Sequence, residues 1–305
     1  MRGAVRTVLG DVPPEELGAT DCHEHLFQVS PLLPGDELDD EERSGQEAAL
    51  LRAAGITAMI DATPIGLGRD PAALARISAR TGLAVVASTG VHREAHYPEG
   101  HGLRQLPVEE LARWFVRELT SGMTAGAGSV PVRAGQIKAG IGYWSISPFE
   151  RRTLEAAALA HGETGAPIMV HLEHGSAGFE VLGVLGAAGV PASRVTLAHI
   201  DRNPDAGLHA ELAAAGAYLE YDGMARHREW PDSMIIDCLL DAAERGAAHR
   251  LLLGGDVARR TRYVAYGGLP GLAYLPERFV PRLEAAAPEL TRRILVDNPA
   301  RYLAW

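Results

Sequence analysis

Eight short apolar or β-branched runs, each followed by a longer segment of helical spacing, set the strongest constraint on how this chain folds. The runs are Ala19–His23, Ile56–Asp61, Ala84–Ser88, Gly135–Ala139, Ile168–His171, Val195–Ala198, Ala217–Glu220 and Arg250–Gly254. The helical segments are Glu41–Ala54, Pro71–Arg80, Val108–Thr120, Pro148–Thr164, Ala177–Ala188, Asp205–Ala215, Pro231–Arg245 and Pro276–Ala287. A strand followed by a returning helix makes a parallel neighbour, so the pattern predicts an α/β protein. Eight units with short returns favour a closed (β/α)8 barrel of the TIM type over an open doubly wound sheet. Pro71, Pro148 and Pro231 suit first helical turns, where a missing N–H is harmless. Gly55, Gly82, Gly165, Gly189, Gly216 and Gly246 stand where left-handed C-caps are wanted.

The 305 residues show no linker, only a loose Gly-rich patch at Ser121–Gly128 and an acidic run at Asp36–Glu42. Residues 1–305 are therefore expected to form one domain with a short N-terminal extension. A net charge of −10 argues against nucleic-acid binding, which needs basic surface to replace phosphate counterions. No stretch approaches the roughly 18 apolar residues of a membrane span, and the first residues lack a signal-peptide core. Two cysteines, Cys22 and Cys238, are too few for a disulfide framework and fit a reducing cytoplasm.

Chemistry enters at Asp21-Cys22-His23-Glu24-His25, where two histidines two apart point to the same side of a strand. Lys138, His171, His199 and Asp256 fall at or just past the C-terminal ends of the fourth, fifth, sixth and eighth strands. In a barrel those ends converge, and imidazoles with a carboxylate are divalent-metal ligands. His161, His209 and His249 sit on polar helices or their ends and are read as ordinary core or surface residues. Lys138 does not suit this set, because an ammonium has no lone pair; taken alone it is a snorkelling strand-end lysine.

The segments Gly18-Ala19-Thr20-Asp21-Cys22-His23-Glu24-His25-Leu26, Gly135-Gln136-Ile137-Lys138-Ala139-Gly140, Val170-His171, Leu197-Ala198-His199-Ile200-Asp201 and Gly254-Gly255-Asp256 resemble the phosphotriesterase-like branch of the amidohydrolase superfamily. The resemblance covers nearly the whole chain from Val8 onward. It implies a metal-dependent hydrolase with two divalent ions, zinc being favoured by the imidazoles. His23, His25 and Asp256 would hold the buried ion and His171 and His199 the exposed one. Lys138, N-carboxylated by CO2, would bridge them together with the attacking hydroxide. Asp256 would carry the nucleophile's proton to the leaving oxygen, and Cys22 would face away from the metals.

Substrate choice rests on the loops. Asp222-Gly223-Met224-Ala225-Arg226-His227-Arg228 follows strand seven and Val257-Ala258-Arg259-Arg260-Thr261-Arg262-Tyr263 follows strand eight, both basic in an acidic protein. That region of such barrels commonly binds phosphate, although arginines there also form salt bridges or solvate the rim. The run from Gly255 to Leu272 also resembles phosphorylated sugar-lactone hydrolases of that branch. This implies a small anionic substrate, with Arg260 and Tyr263 at the phosphate, Arg226 or Arg228 assisting, and Tyr97 lining the pocket. His92 and His96 depart from the more aromatic loop of relatives. Alternatives are a phosphotriesterase or lactonase for unphosphorylated apolar substrates, a non-catalytic metal-containing binding protein, and a one-metal deaminase that would not need Lys138. Relatives that form homodimers give a prior for the same here.

Overall fold

The computed structural model describes residues 3–123, 131–226 and 230–305. A hairpin of β1 (Val5–Thr7) and β2 (Gly10–Val12) precedes eight parallel strands. These are β3 (Thr20–Glu24), β4 (Ala58–Asp61), β5 (Ala84–Gly90), β6 (Gln136–Ile141), β7 (Ile168–Leu172), β8 (Val195–Ala198), β9 (Tyr218–Tyr221) and β10 (Leu251–Leu253). Each pairs with the next in sequence, giving the order β3 to β10 around a nearly closed barrel. The expected (β/α)8 architecture is what forms.

Helices α1 (Glu41–Ala53), α2 (Pro71–Thr81), α3 (Val108–Thr120), α4 (Pro148–Thr164), α5 (Gly178–Ala187), α6 (Ala206–Ala214) and α7 (Asp232–Glu244) return between the strands. Local chemistry sets their ends. The side chains of Asp40, Asp70 and Asp205 accept backbone N–H bonds of the first turns of α1, α2 and α6, and Ser147 with Glu150 closes a capping box on α4. Gly82 and Gly165 stop α2 and α4 at φ of 68° and 82°, a conformation that a Cβ disfavours.

The last helical stretch differs from the single expected helix. Leu275–Phe279 forms a widened turn ahead of α8 (Val280–Ala286), because Pro276 and Pro281 remove two N–H donors from the regular ladder. The chain then continues through α9 (Pro288–Arg292) and α10 (Asn298–Leu303), a helical tail beyond the eight expected helices.

One large apolar cluster lies between strands and helices, and a second fills the barrel below the site. The second cluster joins Met169, Ala198, Tyr218 and Leu252 to Val5, Leu17, Tyr302 and Leu303, so the hairpin and the chain end plug the N-terminal mouth. Trp305 and Ala4 exchange backbone hydrogen bonds across this plug. Cys22 belongs to the same inner cluster: an irregularity in β3 between Asp21 and Glu24 breaks the two-residue alternation that would have turned it outward.

Asn298 is fully buried and its Nδ2 donates to Ala248 O at 3.0 Å and Leu251 O at 2.8 Å, tying α10 to the start of β10. Asn298→Ala should leave those carbonyls without this donor and lower unfolding free energy by about 1–3 kcal/mol. Urea unfolding followed by circular dichroism checks this, and an unchanged midpoint would contradict the role.

Candidate metal centre

Strand ends deliver the six expected side chains to one place. His23 lies on β3, His25 just beyond it, Lys138 on β6, His171 on β7, His199 after β8 and Asp256 after β10. The His23 ring centroid is 5.4 Å from that of His25 and 5.0 Å from that of His199, and His171 is 4.4 Å from His199. Lys138 Nζ is 3.2 Å from His23 Nε2. Asp256 Oδ1 stands 3.6 Å from His25 Nε2 and 3.9 Å from His23 Nε2. Ligand atoms of His23, His25 and Asp256 fall within 4.8 Å of one another, close enough to share an ion.

The strongest sign of metal chemistry lies behind the rings. His23 Nδ1 meets Glu220 Oε1 at 2.5 Å, His25 Nδ1 meets Thr63 Oγ1 at 2.7 Å, and His199 Nδ1 meets Asp222 Oδ1 at 2.7 Å. His171 uses Nε2 instead, 2.9 Å from Glu173 Oε2. Each imidazole thus has one nitrogen engaged by an oxygen acceptor, which fixes its tautomer and leaves the opposite lone pair for a cation. Glu220, Asp222, Thr63 and Glu173 were not legible as site residues, although Glu220 and Asp222 end a strand whose polar tip is a usable signal.

Burial sets the protonation states. It lowers the pKa of His23 and His199 well below the ordinary histidine value and that of His171 to about 4, so these rings are neutral. Burial also lowers Lys138 to about 8, against the attraction of Glu220, Asp256 and Asp222. Its amine lies 3.1 Å from Met169 Sδ and 3.2 Å from His23 Nε2. Gly90 makes room for this arrangement: at φ of 100°, a Cβ there would lie 1.9 Å from Lys138 O.

A cavity of about 280 Å3 opens on the cluster and is lined by Arg93, Arg202, Arg226 and Arg259 along with His92, His96 and Glu173. Arg226 and Arg202 reach Asp256 Oδ2 at 2.5 and 2.7 Å. A larger cavity of about 900 Å3 shares Arg226 and Arg259 with it and adds Arg262, Thr261 and Tyr274.

The expected substrate contacts fare unevenly. Arg226 lines both cavities, whereas Arg228 lies outside the described residues. Arg260 is exposed, with its guanidinium 5.8 Å from the Tyr266 ring, and lines neither cavity; its neighbour Arg259 does. Tyr97 and Tyr263 need correction. Both are buried behind the pocket wall with their hydroxyls committed, Tyr97 donating to Ile65 O and Tyr263 to His25 O. Tyr263 therefore buttresses the backbone of His25, and Tyr97 holds the start of the following loop by accepting from His92 N at 3.0 Å.

His209, outside the cluster, is a satisfied core residue as expected, with Nδ1 2.5 Å from Tyr221 OH and Nε2 near Ile200 O and Asn203 O. Burial lowers its pKa to about 4, so between pH 6.5 and 4 the unfolded chain binds a proton there that the folded chain refuses. The stability advantage of wild type over His209→Gln should therefore be full above pH 6.5 and shrink toward pH 4, by at most about 1.4 kcal/mol per pH unit. Urea unfolding of both proteins at stepped pH tests this, since other titrating groups are common to the pair; a constant gap would contradict it.

Known proteins resemble this chain along almost its whole length. The model of the phosphotriesterase family matches residues 3–303. A phospho-furanose lactonase of Mycoplasmopsis synoviae (strain 53) is 32% identical over 322 residues, covering 98% of this chain and 91% of its own. The crystal structure of a lactonase from Listeria monocytogenes superposes with a TM-score of 0.90 at 32% identity, covering 99% of both chains. A phosphotriesterase homology protein of Escherichia coli, solved with phosphate in its active site, gives 0.86 at 31% identity over 94% of this chain and 99% of that one. Matched along almost its whole length, with its histidines gathered at the strand ends, the chain belongs to the phosphotriesterase family.

Proposed function

We propose that this protein is a two-metal lactonase that opens a phosphorylated sugar lactone. One observation carries the choice of substrate: four arginines, Arg93, Arg202, Arg226 and Arg259, line the cavity above the histidine and aspartate cluster. Guanidinium forks match phosphate oxygens, and four in one cavity of an acidic protein favour an anionic ligand. The phospho-furanose lactonase relative and the phosphate in the Escherichia coli homologue support the same reading. Arg226 and Arg259, shared by both cavities, are the residues assigned to the phosphate.

His23, His25 and Asp256 would hold one divalent ion and His171 and His199 a second, zinc being the natural choice for neutral imidazoles. Such ions supply Lewis acidity and hydroxide at neutral pH. Lys138 as a carbamate would give the ions an anionic ligand, because burial lowers its pKa to about 8 and so leaves a fraction of neutral amine able to add CO2. The reaction adds water across the acyl C–O bond: one oxygen goes to the carbonyl carbon, the ring oxygen leaves, and a proton is moved between them. Asp256, with Oδ1 toward His25 and Oδ2 toward the cavity arginines, would carry that proton. No helix of the described residues is long and apolar enough to cross a membrane, in keeping with the cytoplasmic location that the cysteine content favours.

Elemental analysis with a panel of matched phosphorylated and unphosphorylated lactones tests the assignment. About two metals per chain and chelator-sensitive hydrolysis are expected, with Arg259→Ala raising KM at least about tenfold for the phosphorylated lactone alone, a loss of one charge-assisted contact. Equal hydrolysis of both substrates would remove the phosphate and favour an apolar lactone or ester. For Lys138, bicarbonate should speed reconstitution of metal-free wild type and leave Lys138→Ala unchanged; no bicarbonate effect on wild type would remove the carbamate.

A further inference from the structure

The barrel is laddered between every neighbouring pair of strands from β3 round to β10, but no ladder pair joins β10 back to β3 among the described residues. The seam is closed by other means. Asp256 N donates to His23 O at 2.8 Å. Gly255 N donates to Asp21 Oδ1 at 3.3 Å, and the same oxygen accepts His23 N at 3.1 Å. Val257 N donates to Glu24 Oε2 at 3.0 Å. The backbone on both sides of Asp256 is thus held by two carboxylates of β3.

Asp256 itself sits at φ of 43°, a left-handed conformation that a side chain disfavours and that surrounding contacts must enforce. Glu24 is fully buried, and its second oxygen has no hydrogen-bond partner. That oxygen lies where a Cβ on residue 255 would be, 2.1 Å away, so glycine is required at 255 for Glu24 to occupy its place. The strands also touch closely at Gly254, where a Cβ would fall 2.6 Å from His23 Cβ. The side chain between the two histidines of the His-x-His pair is therefore neither a ligand nor a core filler.

We propose that Glu24 is a positioning residue for the metal centre: by accepting the Val257 N–H across the unladdered seam, it holds Asp256 in the left-handed conformation that presents Oδ1 to His23 and His25. The inference rests on Asp256 being a metal ligand. It predicts that the hydrogen-bond acceptor at position 24 matters and that its loss is felt at Asp256 before the fold.

The test uses full-length wild type, Glu24→Gln, Glu24→Ala and Gly255→Ala, with zinc affinity from competition with a chromophoric chelator and amide hydrogen exchange of the segment 254–258. Glu24→Gln keeps a carbonyl oxygen for Val257 and should bind zinc within about threefold of wild type. Glu24→Ala should weaken the tighter zinc equivalent by about 10–100-fold, the usual loss when a ligand's support is removed, and expose the segment to exchange. Gly255→Ala, which displaces Glu24 without changing it, should reproduce this and gives the comparison if Glu24→Ala does not fold. Combining the two in Glu24→Ala/Gly255→Ala should add little. Zinc affinity of wild-type strength in Glu24→Ala, or Glu24→Gln as impaired as Glu24→Ala, would overturn the proposal. Neither measurement needs a substrate, so an inactive wild type on lactones would count against the proposed function and leave this test standing.

Discussion

Hydrogen bonds donated by the rear N–H groups of the histidines to buried carboxylates are the interaction on which the site depends. A barrel interior is a poor place for charge, and Glu220 and Asp222 are both fully buried there. Their partners, His23 and His199, are held neutral by the same burial. Acceptors behind and lone pairs in front convert four flexible rings into a fixed set of donors before any cation arrives. The excess of acidic groups around one lysine also makes a cation the natural complement of the cluster.

The barrel holds this arrangement because its two ends do different work. Below, Tyr302, Leu303 and Val5 close the mouth with apolar packing. Above, seven of the eight barrel strands bring a charged or imidazole residue to the upper half of the barrel, Glu24, Asp61, Lys138, His171, His199, Asp222 and Asp256, while β5 ends in Gly90. The same parallel geometry that forces the helices outward gathers the histidines, Lys138, Asp222 and Asp256 into one cluster. Arginines on the loops then meet the cluster from the solvent side.

Much of this was legible in the chain. The βα alternation gave eight strands in order, and α4 falls at Pro148–Thr164 as expected, because a proline start and a glycine stop are strong local signals. The six candidate ligands could be found from their places at strand ends. What lay hidden depends on relations across the sequence. Nothing local marks Thr63 as the partner of His25, 38 residues away, or Arg202 as a neighbour of Asp256. Tyr97 and Tyr263 looked like pocket residues because aromatic side chains in active-face loops often are, but a tyrosine hydroxyl serves equally well as a buried strut. Arg260 and Arg259 are adjacent in sequence, and only the direction of the loop decides which one faces the cavity.

The left-handed backbone at His199 and Asp256, with φ of 65° and 43°, bears on how the protein could evolve. Residues with side chains disfavour this conformation by about 1–2 kcal/mol each, and glycine does not. Selection for thermal endurance alone would therefore push both positions toward glycine and dismantle the centre. Their side chains are a standing record of selection in the opposite direction, and a homologue with glycine at either place would mark a lineage in which the barrel had outlived its chemistry.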